Sequence, residues 1–461
     1  MSRSLFEFEV AVVGAGPAGL AAACAAAENG LRVGLVDETP WLGGQIWRGQ
    51  STAGVAGAPS RLRRNSEAER WFQRFRNSGA TLLDSTSVIA CPRSGVLLAE
   101  HDGCPREIHW KRLVLATGAR ELFLPFPGWT LPGVMGPGGL LSLVKNGWPI
   151  AGKRVVIAGS GPLLLAVADG LKKAGARIIS IAEQAPFSNV LGFALSLRGY
   201  PAKLWQAARM KIHLAGVPYR CGVWPVRADG SEHVQSITLT DGKHTWTEQC
   251  DLLACAFGLV PNVELPLALG CELKDGFVCV DATQSTSVPD VYCAGEPTGI
   301  GGADCALVEG EIAGHALASN RPRAEALFPR RASWHRFRSA LADAFALRPE
   351  LKSLAADDTI LCRCEDVRLG QVRQFDTWRE AKLQSRCGMG ACQGRICGAA
   401  TKVLFGWGME SVRPPILPAR VKNLTSETAS HVAEDEKQRR TAATSCTELA
   451  TNLNAVPLAQ P

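Results

Sequence analysis

The chain has 461 residues, of which 46% are hydrophobic, and a formal net charge of +7. That length exceeds one ordinary core and implies two or three domains, and the apolar fraction suits packed interiors, so a mainly disordered architecture is excluded. Basic residues are scattered among acids and not clustered with aromatics, which argues against a nucleic-acid platform. No apolar run reaches the roughly 18 residues of a membrane helix, and the first residues run straight into a glycine motif that a signal cleavage would destroy. A cytoplasmic protein is expected, one that is not an integral membrane protein and whose 16 cysteines do not form a disulfide framework.

Residues 8 to 38 read as a β-branched strand, a glycine turn, an alanine-rich helix opened by Pro17 and Ala18, and a second strand. Gly14, Gly16 and Gly19 fill the G-x-G-x-x-G spacing. The first permits a tight turn, the second lets the backbone approach a pyrophosphate, and the third lets the helix pack closely on the sheet. Asp37 ends the second strand where a carboxylate accepts hydrogen bonds from a ribose, with Glu38 the adjacent alternative. A dinucleotide site is therefore expected here.

Two later stretches favour FAD. "RLVLATGA" is a strand entering a turn at Thr117 and Gly118; residues 286 to 318 give another strand, a turn at Gly295 and Glu296, a glycine-rich segment with Gly302 and Ala303, and a helix. Distant segments wrapping one cofactor suit a long, extended dinucleotide. Between them, residues 152 to 183 repeat strand, turn, helix and strand, but Leu164 stands where the third glycine would be. That makes close helix packing harder and leaves open whether Glu183 meets the ribose of a second nucleotide. No C-x-x-C stands beside residues 43 to 47 or in the second nucleotide-binding-like domain, where Cys250 and Cys255 are too far apart to form one. Thiol exchange is not expected. No Ser-His-Asp or paired-carboxylate constellation appears, so catalytic residues are not assigned.

These stretches resemble the glutathione-reductase-like class of two-dinucleotide-fold flavoproteins, an α/β fold. "GGQIW", with Gly44 and Gln45, looks like that class's segment along the flavin. The class often carries Asp where this chain has Glu296, which keeps the charge.

Residues 326 to 357 read as a linker with an amphipathic helix, and then cysteines gather. "LCRCED" holds Cys362 and Cys364, and "SRCGMGACQGRICG" holds Cys387, Cys392 and Cys397. Four thiolates suit tetrahedral zinc or the two irons of a [2Fe-2S] cluster. Spacing leaves two registers open, Cys387 with Cys392 or Cys392 with Cys397.

The segment resembles the small α-helical bacterioferritin-associated-ferredoxin-like [2Fe-2S] domain fused behind flavoprotein subunits. That resemblance implies ligation by Cys362, Cys364, Cys392 and Cys397. From residue 8 to 415 the motif order resembles the α-type subunit of bacterial opine oxidases, proline or hydroxyproline dehydrogenases and hydrogen-cyanide synthase. The resemblance implies an electron-handling subunit paired with an amine-oxidase-like FAD-dependent β-type subunit and a small iron–sulfur γ-type subunit, with FMN at a subunit interface in some members. It implies oxidation at the CH–NH bond of an opine, proline or hydroxyproline, or of glycine. An NAD(P)H-dependent reductase and a zinc-stabilised interaction subunit are the alternatives.

The expected boundaries are a FAD-binding domain at 1–130 and 261–325, a second nucleotide-binding-like domain at 131–260, the linker at 326–357, the cysteine domain at 358–415 and a C-terminal tail at 416–461.

Overall fold

The computed structural model describes residues 4–48, 66–408 and 412–425. The chain opens with β1 (Ser4–Val13), α1 (Pro17–Glu28) and β2 (Val33–Val36). Pro17 sits in the first turn of α1, where its missing N–H costs nothing. Next come α2 (Glu67–Ser78), β3 (Thr81–Leu83), β4 (Thr86–Arg93), β5 (Val96–His101) and β6 (Cys104–Leu115). Ser66 caps α2 by accepting from the Glu69 amide at 3.2 Å. These strands form a sheet ordered β3-β2-β1-β6-β5-β4.

The chain then crosses through β7 (Ala119–Glu121) into a second sheet built from β8 (Val134–Met135), α3 (Pro137–Lys145), β9 (Arg154–Gly159), α4 (Leu163–Lys173), β10 (Arg177–Glu183), α5 (Phe187–Ser196), α6 (Pro201–His213) and β11 (Tyr219–Cys221). A three-stranded meander follows, β12 (Trp224–Asp229), β13 (Ser236–Thr240) and β14 (Thr245–Gln249). Then β15 (Leu252–Ala256) completes the parallel order β11-β10-β9-β15-β8. The return strand β16 (Leu259–Pro261) pairs antiparallel with β7, so the two crossings form one narrow hinge.

Beyond it lie α7 (Glu264–Ala268), the short pair β17 (Leu273–Lys274) and β18 (Phe277–Val278), and β19 (Val291–Cys293), which joins the first sheet beside β6. α8 (Gly302–Leu317) packs on α1. A Cβ at Gly310 would stand 2.1 Å from the Ala18 carbonyl oxygen, so the helices approach this closely only without one. Sandwiched between sheet and α8, Ala21 to Ala26 of α1 are wholly buried, which explains a run of alanines interrupted only by the equally small Cys24.

α9 (Arg321–Ala326) and α10 (Phe328–Ala344) follow. Residues 326–357, expected as a linker with an amphipathic helix, contain the 17-residue α10, and its Phe337 and the Phe345 that follows it flank Phe193 of α5. The cysteine unit comprises β20 (Ile360–Cys362), β21 (Val367–Arg368), α11 (Leu369–Val372), α12 (Trp378–Ser385) and α13 (Cys397–Phe405), around a small core that includes Cys362, Cys387 and Cys397. α14 (Val421–Thr425) ends the described residues, and most of the expected tail lies outside them. Its first part is docked, with the Ile416 amide donating to Ile89 O at 2.8 Å. Among the described residues no helix is long and apolar enough to cross a membrane.

Candidate functional site

The three glycines of the first turn separate by geometry. Gly14 has φ +106°, and a Cβ there would stand 2.2 Å from the Ala116 carbonyl oxygen; one at Gly19 would stand 1.7 Å from Gly14 O. Both are required by the fold. Among the described residues a Cβ at Gly16 would meet nothing within 4 Å, so its space opens outward at the N-terminus of α1, the place an anionic pyrophosphate favours. Gly44, at φ +55°, lies against Gly16, while Gln45 is exposed beside it.

Asp37 uses its carboxylate on the protein. Oδ2 accepts from the Ala15 amide at 2.6 Å, and Oδ1 accepts from the Thr39 amide and hydroxyl at 2.8 and 2.6 Å. Glu38, next along, is exposed.

Across the sheet, the Thr117 hydroxyl donates to the Asn262 carbonyl at 2.6 Å, and the Asn262 side chain returns a bond to Thr117 O at 2.8 Å. Gly118 adopts φ +70° and Gly295 φ +83°. Glu296 Oε1 accepts from the Gly302 amide at 2.9 Å, whereas its Oε2 is buried without a partner among the described residues. Burial pushes this carboxyl up to about 7. Gly302 faces open space, with Ala303 half-buried after it. An open glycine cradle and an orphaned buried acceptor fit FAD, whose phosphates and hydroxyls would supply the missing partners.

Sequence reasoning missed Glu309. It is 1% exposed, and its Oε2 accepts from the Gly295 amide and the Thr298 hydroxyl, both at 2.9 Å, while His335 Nε2 lies 2.8 Å from Oε1. The only signal was one acid on a helix face otherwise apolar.

The second glycine turn looks similar but is closed. Gly159 is forced by the Ala256 carbonyl, 1.7 Å from any Cβ, and Gly161 is open. Leu164 fills the core instead of admitting a closer helix. Glu183 is wholly buried and accepts from the Gly161 and Ala185 amides at 2.7 and 2.9 Å. The segment after α10 crosses this turn: Ser160 Oγ donates to Phe345 O at 3.2 Å, and Gln184 Nε2 donates to Ala346 O at 3.1 Å. Arg348 donates its amide to Gln184 Oε1 at 3.1 Å and stacks 3.8 Å over Trp224. Neither strand-end polar side chain is free to meet a ribose.

The cysteine unit gathers five thiols. The Sγ atoms of Cys362, Cys387 and Cys397 all lie within 4.8 Å of one another, buried. Hydrogen bonds from Cys387 and then Cys397 depress the Cys362 thiol to about 2. Cys364, which is exposed, contacts Cys392. The intervening loop closes over them by left-handed turns at Arg386, Gly388, Gln393 and Gly394, and a Cβ at Gly390 would stand 2.3 Å from Cys364 Cβ. Among the described residues, this donor set suits a thiophilic metal centre.

The cysteine loop is fastened to the hinge. Arg120 of β7 donates through Nε to Arg395 O at 3.1 Å and lies 2.9 Å from Glu264 Oε1. Arg395 in turn donates to Cys392 O at 3.3 Å and to Ile416 O at 2.5 Å. On the other side, Trp129 Nε1 donates to Ile360 O at 2.6 Å.

The pyridine nucleotide-disulphide oxidoreductase family profile matches residues 8–310. The chain is 31% identical over 418 residues to the HcnB component of hydrogen cyanide synthase from Pseudomonas aeruginosa, covering 84% of this chain and 90% of that protein. It is 33% identical over 458 residues to an opine oxidase subunit of Rhizobium meliloti, covering 89% and 97%. L-proline dehydrogenase from P. horikoshii shares the fold at 22% identity with a TM-score of 0.64, over 92% of this chain and 81% of that one. The chain therefore belongs to the pyridine nucleotide-disulphide oxidoreductase family, among the FAD-dependent oxidoreductases related to opine oxidase and hydrogen cyanide synthase, and is an FAD-dependent oxidoreductase enzyme.

Proposed function

We propose that this chain is the electron-handling subunit of a heteromeric dehydrogenase that oxidises an amino acid or opine at its CH–NH bond. The observation that carries the reading is the fastening of the five-thiol loop to the hinge of the FAD fold through Arg120 and Arg395. When bound, FAD handles electrons in pairs or singly, and a [2Fe-2S] centre handles them singly. Cys362, Cys364, Cys392 and Cys397 hold the cluster. Gly16 and the α1 N-terminus meet the FAD pyrophosphate. With Asp37 engaged in shaping the turn, Glu38 takes the ribose, and Glu296 Oε2 accepts a hydroxyl of the cofactor.

On a partner chain of amine-oxidase-like type, the carbon next to the substrate nitrogen would give its hydride to that chain's flavin and the nitrogen its proton to solvent, and water hydrolyses the resulting imine. The segment laid across the second glycine turn argues against entry of electrons from NAD(P)H there. The names of the relatives, each one component of a larger enzyme, support a multi-chain assembly.

The test is to isolate the chain from its natural host with and without co-purifying subunits. Dye reduction is then measured with proline, hydroxyproline, opines and glycine, alongside flavin analysis that separates FAD from FMN. Oxidation is expected only with the partner. Full turnover by the chain alone, or rapid flavin bleaching by NAD(P)H, overturns the division of labour. A colourless cysteine unit without acid-labile sulfide points to zinc.

A further inference from the structure

The two groups of thiols are unequal. A [2Fe-2S] cluster takes four terminal thiolates, two on each iron. Cys364 and Cys392 pair with each other, supplying two. Cys362, Cys387 and Cys397 converge on a second point, supplying three. Tetrahedral ligands at a metal–sulfur bond of about 2.3 Å stand roughly 3.8 Å apart, and all three buried sulfurs already lie within 4.8 Å of one another.

Core packing alone does not account for Cys387. Buried cysteines elsewhere, such as Cys24 and Cys255, are surrounded by alanine, valine and leucine clusters. Cys387 is equally buried in an apolar cluster of its own, but its sulfur also lies within 4.8 Å of two other thiols. Its backbone follows the left-handed Arg386 and precedes Gly388, whose φ of +81° leads directly into the loop that carries Cys392. Cys397 occupies the first position of α13, where the helix N-terminus favours a thiolate.

We propose that Cys387 is a reserve ligand of the cluster, held beside Cys362 and able to bind iron in place of Cys397. This rests on the [2Fe-2S] reading above. On taking up the role, Cys387 gives its thiol proton to solvent and bonds to the iron through sulfur, with no change of oxidation state. The buried iron thereby tolerates the loss of one ligand, and the exposed iron, with no spare thiol, does not.

The test uses the full chain as isolated from cells, with iron, acid-labile sulfide, visible absorption and reduced-state electron paramagnetic resonance measured per FAD. Cys387→Ala should match the wild type. Cys397→Ala should keep its iron and sulfide but shift the resonance. Cys364→Ala, Cys392→Ala and the double variant Cys387→Ala with Cys397→Ala should all lose the cluster while retaining FAD, which shows that they fold. A Cys397→Ala chain as empty as Cys392→Ala, a Cys387→Ala chain without its cluster, or a double variant that keeps it overturns the reserve role. A wild-type chain lacking iron and sulfide defeats instead the cluster reading on which this one stands.

Discussion

Arg120 donates through Nε to the carbonyl oxygen of Arg395 at 3.1 Å, so a side chain of the hinge strand holds the backbone of the cysteine loop. The same guanidinium is paired with Glu264, which is only 7% exposed. Removing one partner of a buried pair leaves the other charge desolvated, whereas removing both is often nearly neutral. Arg120→Met should therefore cost about 3 kcal/mol, the low end for such a break because Arg395 remains 3.8 Å from Glu264. Arg120→Met with Glu264→Leu should recover most of it. Denaturant unfolding of the three proteins checks this, and equal losses in single and double variants would refute the pairing. In both variants, electron transfer to a one-electron dye should slow more than flavin reduction does.

The segment after α10 should be locked by Arg348. Stacking on Trp224 at 3.8 Å is worth up to about 2 kcal/mol when desolvated, and its amide bond to Gln184 adds to this. Arg348→Ala removes the stacking and should raise amide hydrogen exchange at residues 345–351. Because Ser160 and Gln184 donate to that segment, exchange should rise at 159–161 as well, with FAD content unchanged. A change confined to residue 348 and its immediate neighbours would mean that the segment does not brace the second glycine turn.

How much was legible in the sequence follows from where the information lies. Gly14, Gly16 and Gly19 were readable because their spacing belongs to one strand-turn-helix unit, although the carbonyl that forces Gly14 comes from Ala116 beyond β6. That Asp37 spends its carboxylate on the turn was not, since this depends on the Ala15 and Thr39 donors that the turn turns inward. Glu309 was missed for a similar reason: its partners Gly295, Thr298 and His335 come together only when α8 meets α10. Residues 345–348 read as part of a linker because nothing local in "FALR" signals a groove to fill. The cysteines were legible as a group, but the sorting of five thiols into three and two needs the loop's left-handed turns.

Glu296 gives a pH dependence with a defined sign. Its carboxyl rises from 4.5 to about 7 because it is buried, with the Gly302 amide partly opposing the shift and Glu309 adding to it. Between those values the folded apoprotein holds a proton that the unfolded chain releases. Its contribution to stability is therefore fully present below pH 4.5 and is lost as pH rises through 7. Glu296→Gln carries no such charge, so apoprotein melting of the variant relative to wild type should rise between pH 5 and 8. The shift corresponds to roughly 3 kcal/mol at most. On the function proposed above a hydroxyl of FAD donates to Oε2, so adding FAD should diminish the difference at pH 8. A pH-independent difference would show that this carboxyl does not titrate in the window.

The glycine turn permits fold and ligand to be separated by one methyl group at a time. At Gly19 a methyl meets the Gly14 carbonyl at 1.7 Å, a backbone atom that cannot rotate away, so Gly19→Ala should destabilise even the apoprotein. Overpacking of this kind costs about 1–3 kcal/mol, occasionally more, and here the helix itself must shift. At Gly16 the backbone is already extended, with φ −72°, and the methyl meets no atom of the described residues within 4 Å. Gly16→Ala should thus melt with the wild-type apoprotein yet lose FAD affinity at least tenfold, because the methyl enters the space opposite the α1 amides. Calorimetry of the apoproteins and flavin fluorescence titration measure the two effects independently. A Gly16→Ala chain that still binds FAD normally would move the pyrophosphate away from this helix end, and with it the orientation assigned to Glu38 and Glu296.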